Sequence, residues 1–126
     1  MTETMDAADL VAMQAGKRGS KYKAQPVEID GMVFDSKLEG RRYEQLKIMR
    51  DGGVIADLEV HPAPYRCEVN GVLITKYTPD FRYFDCETGA VVVEDTKSAA
   101  TRTRAYVMRK KLVRALFGVD VREVTA

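Results

Sequence analysis

The 126-residue sequence predicts a mixed α/β domain, and three observations carry that expectation. Asp30-Gly31 and Asn70-Gly71 each sit between short runs of β-prone residues, the pattern of a two-residue hairpin turn. Two stretches, one opening at Ser36 and one running from Thr101 to Phe117, place apolar residues at helical spacing. Strands lie both between and after these helices. A strand that leads through a helix into another strand favours a right-handed parallel crossover, so the sheet should be mixed.

Residues 1–25 are expected to be weakly organised. "AADLVAMQ" can form a short helix, and "AGKRGSKYKAQ" reads as a flexible basic arm carrying Lys17, Arg18, Lys21 and Lys23. The folded domain is expected over residues 26–126. It opens with the hairpin Val27 to Phe34. Ser36 then caps a helix with Glu39 three residues later, at capping-box spacing, and Gly52-Gly53 ends it. Leu38, Tyr43, Leu46 and Met49 supply its apolar side. "VIADLEV" follows as a strand with Val54, Ala56, Leu58 and Val60 alternating, and Pro62 and Pro64 interrupt. Tyr65 to Tyr77 is the hairpin turning at Asn70-Gly71. A third hairpin spans Tyr77 to Ser98. The last helix has Ala105, Met108, Leu112, Ala115 and Leu116 as its apolar stripe, with Gly118 as C-cap, and "VDVREV" is the closing strand.

Composition narrows the function. Apolar residues make up 45% of the chain, yet no apolar run reaches the roughly 20 residues of a membrane span. The acidic stretch Met1 to Asp9 lacks the basic start of a secretory signal, so a cytoplasmic setting without membrane contact is expected. Cys67 and Cys86 are expected to be reduced, and with the single His61 they form no zinc-binding spacing. The net charge of +1 conceals an asymmetry, since Thr96 to Val119 holds no Asp or Glu but seven basic residues. Such a stretch suits a polyanion, although a solvated helix face has the same composition.

The chemistry concentrates in "YTPDFRYFDCETGAVVVEDTKS". With Thr88-Gly89 as a two-residue turn, Phe84 would oppose Val93, Arg82 would oppose Asp95, and Asp80 would oppose Lys97. Opposed residues share a face, so Asp80, Asp95 and Lys97 would project together while Glu94 points away. Two close carboxylates repel unless a proton or a cation intervenes. A hard ion such as Mg²⁺ relieves that repulsion, and a neighbouring ammonium can hold a water or a phosphoryl oxygen. These are the parts of phosphodiester hydrolysis. An Asp–Lys cross-strand pair on a wet sheet face is the plainer alternative.

Pro79-Asp80 followed by Asp95-Thr96-Lys97 resembles the PD-(D/E)XK nuclease superfamily. "FDSKLE", "YTPDF", "VVVEDTKS" and "TRAYVMRKKLVRALFG", in that order, are similar to the small phage- and prophage-encoded nucleases of that superfamily, over about residues 20–125. The resemblance implies a restriction-endonuclease-like αβββαβ core preceded by the N-terminal hairpin. It implies catalytic roles for Asp80, Asp95, Lys97 and Glu39. Asp80, Asp95, Glu39 and the Thr96 carbonyl would bind Mg²⁺ or Mn²⁺, and Lys97 would orient the attacking water. Glu39 has the capping role as its alternative. The implied partner is DNA, branched or junction DNA in particular, and the implied setting is phage recombination or DNA processing in a bacterial host, with a homodimer expected. Arg102, Arg104, Lys110, Lys111 and Arg114 would face phosphates, with Arg109 on the flank of the site and Lys21 and Lys23 on the arm. Relatives often carry Gln-Pro where this chain has His61-Pro62, and Gly where it has Ser98. Tyr106 is expected at the edge of the core rather than stacked on a base. A nuclease-fold module that binds DNA or protein without cutting is the competing expectation.

Overall fold

The structure is a computed structural model and describes residues 25–125. Of the expected arm only Gln25 lies within that range, and Lys17, Arg18, Lys21 and Lys23 lie outside the described residues. The described backbone divides into two compact units, one ending at Gln45 and the other starting at Leu46.

In the first unit, β1 (Val27–Ile29) and β2 (Met32–Phe34) pair antiparallel. Their turn takes φ of 55° at Asp30 and 78° at Gly31, the two left-handed residues that match the twist of a tight hairpin. Helix α1 (Lys37–Asp51) starts here and ends in the second unit. Its Gly40 is set by the hairpin, because a Cβ there would come within 2.7 Å of Val27 Cγ2. The Phe34 ring stacks on Tyr43 at 5.0 Å, and the Tyr43 hydroxyl donates to Asp30 Oδ2 at 2.7 Å. Helix start and hairpin turn are thus tied to one another.

The second unit carries a four-stranded sheet in the order β3 (Ile55–Val60), β6 (Phe81–Asp85), β7 (Ala90–Thr96) and β8 (Arg122–Val124). The first three strands pair antiparallel and β8 joins β7 in parallel, through helix α2 (Arg104–Phe117). The mixed α/β architecture and the parallel crossover agree with the expectation. The hairpin β4 (Tyr65–Val69) and β5 (Val72–Tyr77) turns at Asn70 and Gly71 as expected, but it forms a sheet of its own. Cys67, Tyr77, Val93, Tyr106, Val113 and Val121 make the core, joining that hairpin, β7, α2 and the approach to β8. Cys67 is a free thiol inside it, pushed above its ordinary pKa by burial, and Cys86 is a free thiol at the surface.

Three local expectations are corrected. The β6–β7 turn is a four-residue loop, Cys86 to Gly89, and not Thr88-Gly89 alone. Asp85 Oδ1 accepts from the Glu87 and Thr88 amides, Gly89 N donates to the Asp85 carbonyl, and Gly89 adopts φ 74°. An aspartate that caps its own turn lengthens the loop and shifts the register by two residues, so that Arg82 opposes Val93 and Phe84 opposes Val91.

The second correction concerns β3. Its register breaks between Ala56 and Glu59, and Asp57 sits at φ 55°. Ala56, Leu58 and Val60 keep the expected alternation, half-buried between the exposed Asp57 and Glu59, but Ile55 is buried in place of Val54, which is exposed.

The third concerns α2, which starts at Arg104, with the Thr103 side chain accepting from Tyr106 N. It buries Tyr106 and Val113, and Phe117 meets the Tyr65 ring at 5.2 Å. Met108 and Leu116 from the expected stripe are exposed. The helix carries two apolar stripes, and the one with the larger rings packs because the Tyr106 hydroxyl keeps a partner when buried.

Candidate functional site

The site lies where β6 and β7 leave their turn-distal end. Pro79 is buried immediately before Asp80, and Phe81, fully buried, starts β6. Asp80 N donates to the Glu94 carbonyl at 3.1 Å, which continues the ladder one residue beyond the strand. The same N–H lies 2.8 Å from Asp95 Oδ1. In the observed register Asp80 comes opposite Asp95 rather than Lys97. A shift of two residues leaves every side chain on its own face, so Asp80, Asp95 and Lys97 still share one. Glu94 projects to the other face, fully buried, where the Tyr83 hydroxyl donates to it and Arg122 lies 4.0 Å away.

Each aspartate is held by particular donors. Asp80 Oδ2 accepts from the Thr96 amide at 2.8 Å and from the Thr96 hydroxyl at 2.9 Å, which leaves Oδ1 without a donor among the described residues. Asp95 is 3% exposed and accepts from Asp80 N on Oδ1 and from the Tyr77 hydroxyl on Oδ2. Burial and then the Asp80 charge push Asp95 up to about 7, against the Tyr77 hydrogen bond and the Lys97 charge. Burial likewise raises Asp80, opposed by the Thr96 donors, Lys97 and His61. Two carboxylates, one buried and one half-buried, that resist joint ionisation form a site with a deficit of positive charge.

Lys97 reaches back over the face, with Nζ 4.1 Å from the centre of the Tyr106 ring. Tyr106 is 2% exposed, so it stacks no base. Its hydroxyl donates to Glu123 Oε2 at 3.1 Å, and the parallel register sets Glu123 beside Asp95. Arg102 and Lys110 both bind Glu123, each at 3.0 Å. Burial would raise Glu123, but the hydrogen bonds from Lys110, Arg102 and Tyr106 outweigh it and hold the carboxyl below its usual range.

The structure thus brings Asp80, Asp95, Thr96 and Lys97 together. The Thr96 contribution seen is its amide and hydroxyl on Asp80. Glu39 is buried at the start of α1 in the first unit. Its amide donates to Ser36 Oγ at 3.2 Å, and its Oε1 accepts from Asp35 N at 3.1 Å. The capping role is therefore realised, with the return bond one residue earlier than the usual box. Arg102 and Lys110 are engaged by Glu123. Arg104, Lys111 and Arg114 are exposed and without an ion pair among the described residues, while Arg109 is half-buried. Tyr77 and Glu123 escaped the sequence reading, which placed Tyr106 at the core edge but gave it no part in the site. Tyr77 had a signal, standing three residues before Asp80 in "YTPD", whereas the parallel pairing that delivers Glu123 has no turn to announce it.

Fold and site together define an α/β protein with a partly buried Asp–Asp–Lys constellation at one end of a mixed sheet. The family model described as "Protein of unknown function (DUF1064)" matches residues 19–124, and the chain belongs to that family. No curated protein and no solved structure matches it significantly. No helix among the described residues is long and apolar enough to cross a membrane.

Proposed function

We propose that the chain is a Mg²⁺- or Mn²⁺-dependent DNA endonuclease of the PD-(D/E)XK type. The observation that carries this reading is the pairing of half-buried Asp80 with buried Asp95, with Lys97 on the same face. A fold gains nothing from two carboxylates that oppose each other's ionisation, unless a cation is meant to join them. The donor set fits a hard divalent ion: Asp80 Oδ1 is open, and Asp95 keeps a second lone pair on each oxygen. Asp80 and Asp95 would hold the ion, with the Thr96 carbonyl as a further candidate donor. The ion would supply Lewis acidity at the scissile phosphate.

The chain's own groups divide the remaining work. Lys97 orients the attacking water, and its charge offsets the charge that builds on the phosphoryl oxygens. The Tyr106 ring beneath its ammonium limits where that charge can sit. Tyr77 and Thr96 fix the two carboxylates. Arg104, Lys111 and Arg114, at i, i+7 and i+10 of α2, lie on one side of the helix and suit phosphate contacts, which position DNA without reading its sequence. Branched DNA of phage recombination is the substrate we favour, cut by a homodimer. A nuclease-fold binding module is the rival.

Incubation with a four-way junction, a linear duplex and a single strand, each in Mg²⁺ and in EDTA, tests the reading. Metal-dependent cutting that disappears in Asp95→Ala and Lys97→Ala is expected, with thermal melts showing that both variants fold. Cutting of none of the three substrates by the wild type, or undiminished cutting by either variant, refutes it.

A further inference from the structure

His61 is a surface residue at a disfavoured backbone conformation, with φ of 50°. Histidine tolerates the left-handed region better than most residues, yet Pro62 follows it, and a residue before proline is pushed toward extended geometry. Backbone strain of this kind clusters at functional sites. The place of His61 is set from two sides. Its amide donates to the Asp80 carbonyl at 2.9 Å, and the buried Pro62 anchors the chain beyond. A ring nitrogen thereby comes within 4.8 Å of a carboxylate oxygen of Asp80. Two donors on one ion stand no more than about 4 Å apart, since metal–nitrogen and metal–oxygen bonds are each about 2 Å long, and at most a small rotation of the exposed imidazole brings both onto one ion.

We propose that His61 adds a nitrogen donor beside Asp80, so that the site binds late transition ions in preference to Mg²⁺. The inference rests on the metal-site reading above. Mg²⁺ gains little from an imidazole and is bound by oxygen, whereas Co²⁺ and its neighbours gain a strong ligand in the same place. An all-oxygen site would leave the choice of ion to availability. A site with one imidazole shifts it toward the transition series.

Titration calorimetry with Co²⁺ and with Mg²⁺ on the full chain gives the test, without any DNA present. His61→Asn keeps a residue that accepts positive φ but replaces the nitrogen by an amide. The expected result is a Co²⁺ affinity about tenfold weaker, with the Mg²⁺ affinity changed less than about twofold. His61→Gly is a second variant that relieves the backbone, and it should show the same selective loss with an undiminished melting temperature. Equal loss for both ions, or unchanged Co²⁺ affinity in both variants, overturns the proposal. Asp80→Asn separates the two levels of the argument. If it weakens neither ion, the metal site itself is wrong and this inference falls with it. If Co²⁺ binding needs His61 while no DNA is cut, the nuclease reading falls and the imidazole ligand stands.

Discussion

Removing a carboxylate from this site should stabilise the metal-free protein at neutral pH. In the fold Asp95 is raised from 3.8 to about 7, by burial first and by the Asp80 charge second. A group raised in the folded state binds its proton more tightly there than in the unfolded chain. The metal-free fold is therefore most stable, as far as Asp95 is concerned, below pH 4. It loses stability as pH rises toward 7 and levels off above that. The gap between 3.8 and about 7, at about 1.36 kcal/mol per pH unit, sets a ceiling of about 4 kcal/mol on the loss. Asp80 is raised as well and acts in the same direction. Glu123 is lowered, so its contribution is lost only as pH falls through its own acidic range, outside this window. Asp80→Asn removes the neighbouring charge, and its amide oxygen can still accept from Thr96. Melting in EDTA between pH 5 and pH 8 should show the wild type falling by on the order of 10 °C. The Asn variant should fall less and melt higher than wild type at pH 7.5. Mg²⁺ should raise the wild-type melting temperature at pH 7.5 and not that of Asp80→Asn. A flat wild-type profile, or a variant less stable than wild type at pH 7.5, would refute the reasoning.

Four further outcomes follow from the structure. Tyr106→Leu removes the ring beneath Lys97, a contact worth about 0.5–2 kcal/mol, and should lower kcat about tenfold, while Tyr106→Phe keeps the ring and stays within about threefold. Equal losses in single-turnover cleavage would deny the ring that role. Alanine at Arg104, Lys111 or Arg114 should each reduce the salt dependence of DNA binding by about 0.9 in log–log slope, read by fluorescence anisotropy. Arg102→Ala and Lys110→Ala should instead lower the melting temperature, because both residues hold Glu123. Gly40→Ala should cost about 1–3 kcal/mol in urea unfolding, since its Cβ would lie 2.7 Å from Val27 Cγ2.

Which features could be read from sequence follows from how each is encoded. Asp30-Gly31 and Asn70-Gly71 announced their turns because two consecutive positive φ values demand those residue types. Asp95 and Lys97 share a face by alternation within one strand, which no turn can alter. Placing Asp80 with them needed the loop, and the loop was misread, because Asp85 caps it and adds two residues. The conclusion survived only because the error was even; one residue more or less would have sent Asp80 to the face of Glu94. The bulge in β3 left Ala56, Leu58 and Val60 as the inward residues, and only the approach to the strand departs, with Ile55 buried in place of Val54. Helix α2 failed differently. Its two stripes are both apolar, and the choice between them depends on a partner for the Tyr106 hydroxyl. That partner, Glu123, arrives through a parallel pairing whose register is set by packing across the crossover. The residues that carry the proposed chemistry were therefore legible from local alternation. The residues that hold them in place (Tyr77, Tyr106 and Glu123) are joined to them only through long-range pairing. Replacing these three should move the geometry of Lys97 and Asp95 without touching either, which is why the Tyr106 pair of variants separates a site from a coincidence of charges.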